Sequence, residues 1–350
     1  MANHVYSVLV RLAALSVLVV TAAAPGCDSG SSAGSLDWLS VASSADGTKL
    51  VAAATFRNIY TSADSGATWT QRTQQGLWSV ASSADGTKLV AAGIDIQSGG
   101  AFIYTSSDSG ATWTQTTAPQ QLWTSLASSA DGTKLVATGL DSNGNGCTYM
   151  SSDSGATWTQ TTAPQPGLWS LASSADGAKL VAAGGGPDTD AGGAYTGGAC
   201  IYTSADSGAT WTQTTAPQQS WSPVASSADG TKLVAAADYI YTSADSGATW
   251  TQTTAPDLFW QSLASSADGT KLVAVSTKIG ASGGLIYTSS NSGATWTQTT
   301  APRQDWQQVA SSSDGTKLVA VSSNLIATGR PFGGYIYTSS DSGATWTPRK

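Results

Sequence analysis

The chain has 350 residues, a formal net charge of −7 at pH 7 and only 11% charged residues. Contacts to phosphate groups need clustered lysine and arginine, and no basic cluster occurs, so the sequence argues against a nucleic-acid partner. Alanine, serine, threonine and glycine dominate, which is typical of a low-complexity chain or of tightly stacked β-sheets. Regularly spaced tryptophan and Lys-Leu-Val segments favour the stacked sheets.

Residues 1–26 are predicted to form an export signal. The apolar run from Leu12 to Ala24 follows Arg11 and is too short to cross a bilayer. It ends in Ala24-Pro25-Gly26-Cys27, which resembles the bacterial lipobox, and the resemblance implies that Cys27 is lipidated. Residues 27–36 would then be the lipidated cysteine and a flexible tether. We therefore expect an exported lipoprotein on a bacterial membrane, facing the periplasm or the cell surface. The alternative is an ordinary signal peptide with an incidental cysteine.

Two short phrases alternate strictly between residues 37 and 350, seven times each. The hairpin phrase, S-S-x-D-G-x-K-L, contains Asp46, Asp85, Asp131, Asp176, Asp229, Asp268 and Asp314. The tryptophan phrase, S-x-D-x-G-x-T-W, contains Asp64, Asp108, Asp153, Asp206, Asp245, Asn291 and Asp341 and ends at Trp69, Trp113, Trp158, Trp211, Trp250, Trp296 and Trp346. Units starting near residues 38, 78, 123, 169, 221, 260 and 306 lie 39 to 52 residues apart. This period predicts an all-β fold, a seven-bladed β-propeller with four antiparallel strands per blade.

Each unit divides into four predicted strands, A to D. In the third unit, Trp123 to Ser129 alternates as strand A, the Asp131-Gly132 pair predicts a tight hairpin, and Lys134 to Thr138 is strand B. In the second unit, strand C is predicted at Ile103 to Ser106 and strand D at Thr112 to Gln115, with the turn of the tryptophan phrase between them. B strands are apolar on both faces, which predicts burial between neighbouring blades. The tryptophan that starts each unit and the one that ends its tryptophan phrase are predicted to fill the gaps as pairs. Hairpin-phrase lysines are predicted to be solvated.

The tryptophan phrase resembles the Asp-box, or BNR repeat, of sialidases and many other propellers. The resemblance implies that the aspartate accepts backbone N–H groups of its own turn, that the glycine is left-handed, and that the tryptophan packs behind the hairpin. Seven copies favour a structural role, because catalysis needs one arrangement. The resemblance therefore points to a fold and not to an activity.

Length variation lies almost entirely between strands B and C. In an up-and-down blade the A–B and C–D turns share one rim, and the B–C loops and D–A connectors share the other. Variable loops on a constant scaffold are where binding usually resides. We therefore predict a glycan or protein partner at the second rim; the alternative is that these loops vary without binding any ligand. The candidate binding residues are Arg57, Tyr195, Tyr239, Phe259, Arg303, Arg330 and Phe332.

An enzymatic role is not predicted. The sialidase resemblance would imply a tyrosine–glutamate pair and three arginines on the substrate, but the chain contains no glutamate. One alternative is a glycoside hydrolase that uses a pair of aspartates, drawn from Asp95, Asp188, Asp238 and Asp305. Another is a periplasmic assembly factor, because the photosystem II stability factors are similar single propellers. We expect a monomer without a cofactor.

Two smaller features remain. Asp141, Asn143 and Asn145 match the start of a calcium loop, but the loop's usual glutamate is missing, so a Gly/Asn-rich turn is favoured over a metal site. Cys147 and Cys200 occupy equivalent positions in consecutive units. An exported protein could pair them, but neighbouring blades fan apart, which favours two buried free thiols.

Overall fold

A computed structural model describes residues 36–54, 58–94, 100–162, 167–185, 199–277, 283–323 and 334–349. The predicted export signal, Cys27 and most of the tether lie outside these residues. Within the described ranges all regular structure is β-strand, in seven sheets of four antiparallel strands each. The predicted seven-bladed β-propeller is therefore confirmed. No helix in the described part of the chain is long and apolar enough to cross a membrane.

Each blade is formed by four consecutive strands, which are named A to D below. Blades 1 and 2 contain β1 (Trp38–Ser43), β2 (Leu50–Ala54), β3 (Asn58–Ser62), β4 (Thr70–Gln75), β5 (Leu77–Ser82), β6 (Leu89–Ile94), β7 (Ala101–Ser106) and β8 (Thr114–Gln115). Blades 3 and 4 contain β9 (Leu122–Ser128), β10 (Leu135–Leu140), β11 (Gly146–Ser151), β12 (Thr159–Gln160), β13 (Gly167–Ser173), β14 (Leu180–Gly185), β15 (Cys200–Ser204) and β16 (Thr212–Gln213).

The remaining three blades follow the same order. Blade 5 contains β17 (Val224–Ser226), β18 (Leu233–Ala236), β19 (Ile240–Ser243) and β20 (Thr251–Gln252). Blade 6 contains β21 (Trp260–Ser265), β22 (Leu272–Ser276), β23 (Ile286–Ser289) and β24 (Thr297–Gln298). Blade 7 contains β25 (Asp305–Ser311), β26 (Leu318–Ser323), β27 (Ile336–Ser339) and β28 (Thr347–Arg349).

The A strands surround the axis of the propeller. Each A strand contacts the A strands of both neighbouring blades, and β25 of blade 7 contacts β1 of blade 1, which closes the ring. The third residue of each hairpin phrase donates its backbone N–H to the same residue of the next blade at 2.7 Å. These bonds form one cycle. The residues in order are Ala45, Ala84, Ala130, Ala175, Ala228, Ala267 and Ser313, and the last donates to Ala45.

The hydrophobic core is divided into seven clusters, each between two neighbouring blades. One cluster joins Val51 and Ile59 of blade 1 to Leu77, Leu89 and Tyr104 of blade 2. The B strands lie at the centre of these clusters, and all four residues of β18 are buried. Apolar B strands with small alanines therefore pack between two neighbours, and each blade depends on the next for the burial of its faces.

Candidate functional site

One rim of the propeller is built from the two repeated turns of every blade. In each blade the serine after the tryptophan-phrase aspartate (or Asn291) donates its backbone N–H to the A–B hairpin, as from Ser109 to the carbonyl oxygen of Thr87 at 2.9 Å. The A–B and C–D turns therefore lie on the same side. We call this side the Asp rim, and the opposite side, formed by the B–C loops and D–A connectors, the variable rim.

The aspartates of the Asp rim are held by hydrogen bonds inside their own turns. The carboxylate of Asp108 accepts bonds from the Thr112 hydroxyl at 2.6 Å, the Thr112 N–H at 2.8 Å and the Ser106 hydroxyl at 2.8 Å. These bonds lower the pKa of Asp108 to about 2. In the hairpin phrase, bonds from the Ser129 hydroxyl and from the N–H and hydroxyl of Thr133 lower the pKa of Asp131 to about 2. Hydrogen bonds to the ionised form explain both shifts.

The same arrangement recurs in every blade. Equivalent serine and threonine hydroxyls bond the tryptophan-phrase residues Asp64, Asp153, Asp206, Asp245 and Asp341. Asn291 keeps the turn: its Oδ1 accepts the Thr295 N–H at 2.9 Å, and its Nδ2 donates to the Thr295 hydroxyl oxygen at 2.9 Å. The left-handed residues include the serine after each of these side chains, with φ between 56° and 61°, as well as the glycine that follows it. The sequence reading assigned that conformation to the glycine alone.

The hairpin-phrase lysines were predicted to be solvated. They instead form contacts between neighbouring blades. Lys134 of blade 3 donates from Nζ to the Ser207 hydroxyl oxygen of blade 4 at 3.3 Å, and Lys317 of blade 7 reaches Ser65 of blade 1 at the same distance. The stem of Lys134 also lies against Gly177. The polar groups of the repeated turns and of the lysines thus hydrogen-bond to one another. Because the same bonds recur from blade to blade, the Asp rim is uniform.

The tryptophans divide into three groups. The seven tryptophan-phrase indoles are half-buried behind their turns and pack on the edges of the interblade clusters. Five of the seven tryptophans that start a unit are buried in those clusters: Trp38, Trp123, Trp221, Trp260 and Trp306. The other two, Trp78 and Trp169, are half-buried and belong to no cluster. Paired core indoles therefore occur in five blades, and the prediction of a pair in every blade is wrong.

A one-residue shift explains this difference. The core position of strand A lies eight residues before the hairpin aspartate, and Leu77 and Leu168 occupy it in blades 2 and 4. Trp78 and Trp169 lie seven residues before the aspartate, at a β-bulge: the pairing passes from Leu77–Gly93 to Ser79–Ala92 and skips Trp78. A shift of one residue turns a strand side chain to the opposite face. The segment Gly-Leu-Trp-Ser at 76–79 and 167–170 was the sequence signal for it.

The variable rim brings some of the predicted binding residues together. Tyr239 donates from its hydroxyl to Asp257 Oδ2 at 3.2 Å, and this bond raises the pKa of Tyr239. The N–H of Leu258 donates to the Asp238 carbonyl oxygen, and Phe259 accepts the Thr277 N–H at 2.9 Å. The B–C loops of blades 5 and 6 thus lie against the connector between these two blades. Tyr239 and Phe259 are half-buried.

Other candidates are spread more widely. Arg303 is exposed, one connector further round the rim, where it packs beside Gly283. Tyr335, which is 46% exposed, is the most exposed large apolar side chain of the described residues. The remaining predicted binding residues, Arg57, Tyr195, Arg330 and Phe332, lie outside the described residues, as do Asp95 and Asp188.

The calcium-like segment closes on itself. Asp141 Oδ1 accepts the N–H groups of Asn143 and Asn145, both at 2.8 Å, and Oδ2 accepts Asn145 Nδ2 at 3.1 Å. Its carboxylate therefore caps its own turn. In the part of the chain that the structure describes, no group of three His, Cys, Asp or Glu side chains could hold a metal ion.

Cys147 and Cys200 are buried thiols, and the two are not joined in a disulfide. Cys200 belongs to the cluster between blades 3 and 4. Burial raises the pKa of the Cys147 thiol to about 11, so this side chain is held as an unreactive thiol.

Fold and rims together define a single-ring β-propeller with one uniform and one variable face. No protein-family model matches the chain, and no curated protein is similar to it in sequence. Solved structures are similar in fold. The GH74 xyloglucanase from Xanthomonas campestris has a TM-score of 0.64 at 16% identity, over 89% of this chain and 53% of that chain. The chain thus spans about half the length of the xyloglucanase.

Two structures of YCF48 match over nearly their whole length. YCF48 from Cyanidioschyzon merolae has a TM-score of 0.59 at 12% identity, over 89% of this chain and 97% of that chain. YCF48 bound to D1 peptide has a TM-score of 0.54 at 15% identity, over 91% of this chain and 97% of that chain. At these identities the likeness concerns the fold.

Proposed function

We propose that the protein is an exported, lipid-anchored propeller that binds a glycan or a protein at the cell envelope through its variable rim. It acts as a monomeric recognition or scaffold module and not as an enzyme. The contrast between the two rims carries this proposal. The Asp rim repeats one hydrogen-bonded pattern, whereas the variable rim differs from blade to blade in length and side chains. Selection for one specific partner accounts for such individuality on a constant scaffold.

The chemistry of the acidic groups supports a non-catalytic role. Most of the aspartates of the repeated turns have a pKa of about 2 and are bonded within their turns, so they are poor proton donors or acceptors near neutral pH. On the variable rim, Asp257 is engaged by Tyr239. A retaining or inverting glycosidase would need two carboxyl groups at a defined separation, one of them with a raised pKa.

Two alternatives have specific support. Likeness in fold to the GH74 xyloglucanase favours a glycoside hydrolase using an aspartate pair, although this chain spans about half of that enzyme. Likeness to YCF48 with a bound D1 peptide favours an assembly factor that binds a peptide. Few basic side chains are exposed among the residues that the structure describes, and Arg303 is one of them.

The purified protein should be applied to glycan and peptide arrays, with release of reducing sugar measured in parallel. We expect binding without sugar release, weakened by Phe259→Ala and Arg303→Ala on the variable rim. Lys88→Ala, on the Asp rim, is the control and should bind like the wild type. Binding that is lost in Lys88→Ala but kept in both variable-rim variants would place the ligand on the Asp rim and contradict the proposal. Sugar release that Asp305→Asn abolishes would instead establish the hydrolase.

A further inference from the structure

The position that strand pairing skips in six blades forms, together with the equivalent Ser222 of blade 5, a ring of seven side chains around the axis. It lies seven residues before each hairpin aspartate, near the start of strand A and therefore at the inner edge of the variable rim. All seven side chains are half-buried. The ring, which we call the bulge ring, consists of Leu39, Trp78, Thr124, Trp169, Ser222, Gln261 and Gln307.

The bulge ring has an apolar arc and a polar arc. Leu39, Trp78, the methyl-bearing Thr124 and Trp169 follow one another in blades 1 to 4, and Ser222, Gln261 and Gln307 follow in blades 5 to 7. None of the seven side chains is ionisable. Aromatic surface beside a few amide and hydroxyl groups is the usual composition of a small-molecule site.

Hydrogen bonds to the next blade hold the apolar arc in place. Trp78 donates from Nε1 to the carbonyl oxygen of Trp123 in blade 3 at 2.9 Å. Thr124, the next residue, donates from its hydroxyl to the carbonyl oxygen of Leu168 in blade 4 at 3.0 Å, and Trp169 follows directly. Blade 3 therefore links the two tryptophans. Because the neighbouring backbone fixes the Trp78 indole, a ligand need not order that side chain.

These indoles have no structural role in the core. Leu77 and Leu168 fill the core positions that tryptophan fills in the other blades, with 1% and 2% exposure. Leaving part of a large aromatic surface in water costs hydrophobic free energy, and blades 6 and 7 fold with glutamine at the same position. Packing in the core therefore does not account for tryptophan at these two positions.

We propose that Trp78 and Trp169 form a stacking platform for a neutral oligosaccharide or polysaccharide chain; this rests on the proposed function of the variable rim. The face of an indole is electronegative and attracts the weakly positive C–H groups of a sugar ring. Gln307 lies on the polar arc, where its Nε2 donates to the Asp305 carbonyl oxygen at 3.3 Å and its Oε1 is the acceptor offered to sugar hydroxyls. A charged ligand would lose its hydration at a ring without any countercharge, so a neutral glycan is favoured over an anionic one or a charged peptide.

The test is affinity electrophoresis of the purified protein in gels that contain hydroxyethyl cellulose, mixed-linkage β-glucan, galactomannan or dextran, with polygalacturonate as the anionic comparison. The variants are Trp78→Gln and Trp169→Gln, which install the side chain found in blades 6 and 7. Thermal melting verifies that they fold. We expect at least one neutral polysaccharide to retard the wild type, each substitution to weaken affinity roughly tenfold or more, and the double variant to migrate freely.

Lys88→Ala, on the Asp rim and outside the bulge ring, should be retarded like the wild type. The inference is overturned if no neutral polysaccharide retards the protein, if polygalacturonate alone does, or if both glutamine variants behave like the wild type. Peptide-array binding that disappears in Arg303→Ala, without any retardation by glycans, would overturn the glycan platform and leave the proposed function intact.

Discussion

At the scale of single residues, the repeated turns tolerate strained backbone because side chains compensate for it. Ser207, for example, has φ of 61°. Its hydroxyl oxygen accepts a hydrogen bond from a lysine of the preceding blade, and the carboxylate of the neighbouring Asp206 caps the turn. The sequence reading anticipated the carboxylate bonds, since aspartate caps turns by a local mechanism. It missed the lysine bridges, because they join residues 60 to 73 positions apart, or 252 positions apart for Lys317 and Ser65.

Two glycines with similar left-handed backbone conformations distinguish the cost of backbone strain from the cost of steric crowding. Gly144 has φ of 81° and nothing within 4 Å of a Cβ built on it, whereas a Cβ on Gly177, with φ of 67°, would lie 2.9 Å from Lys134 Cβ. We expect Gly144→Ala to cost about 1–2 kcal/mol from left-handed strain alone. Gly177→Ala should cost about 1–3 kcal/mol more from overpacking. Urea denaturation measures both values, and equal costs would contradict the interblade contact.

At the scale of elements, the strand register decides what each tryptophan does. When the units are aligned on their first tryptophans, the alignment predicts a buried core tryptophan in every blade. This is correct for all blades except blades 2 and 4. The face of a strand residue depends on its distance from the hairpin aspartate, and this distance is seven residues for Trp78 and eight for Trp123. The register of Trp78 and Trp169 could therefore be predicted from their distance to the hairpin aspartate. An alignment on tryptophan alone does not use that distance.

The two positions should respond differently to substitution. Trp123 is 1% exposed in the cluster between blades 2 and 3, so Trp123→Ala should lower the free energy of unfolding by about 3–5 kcal/mol. Trp78→Gln should cost no more than about 1 kcal/mol, because it removes no core side chain. Trp211→Ala should fall between them, since its half-buried indole packs against the cluster between blades 3 and 4. Chemical denaturation gives the three values. A Trp78→Gln cost as large as that of Trp123→Ala would refute the assigned register.

At the scale of the whole molecule, seven copies of two phrases made the blade number and strand order predictable. Because seven repeats predict the same strands, a single deviating residue such as Asn291 does not change the prediction. The variable rim could not be predicted in the same way, because each loop occurs once. Contacts such as that between Tyr239 and Asp257 depend on how two loops meet in space.

The accumulated carboxylate turns make the propeller sensitive to acid. Twelve of the aspartates in the turns have a folded pKa of about 2, below the value of 3.8 for the free side chain. A lowered folded pKa contributes stability that is present above pH 4 and is lost as the pH falls towards 2. We expect the melting temperature to be nearly constant from pH 7 to 5 and to fall steeply between pH 4 and 2. Calorimetry in a constant-salt buffer series measures this, and a flat profile down to pH 2 would contradict it.

Because every blade is made of four consecutive strands, the junction between blades 7 and 1 is the one interface without a direct chain connection. It is held by the packing of Trp38 and Val321, and by the bonds from Ser313 to Ala45 and from Gly334 to Leu36. At the other six junctions a connector keeps separated blades at high effective concentration, so they reclose rapidly. Fraying of the wheel should therefore begin at this junction, which makes β1 and β25 the strands whose amide protons exchange earliest.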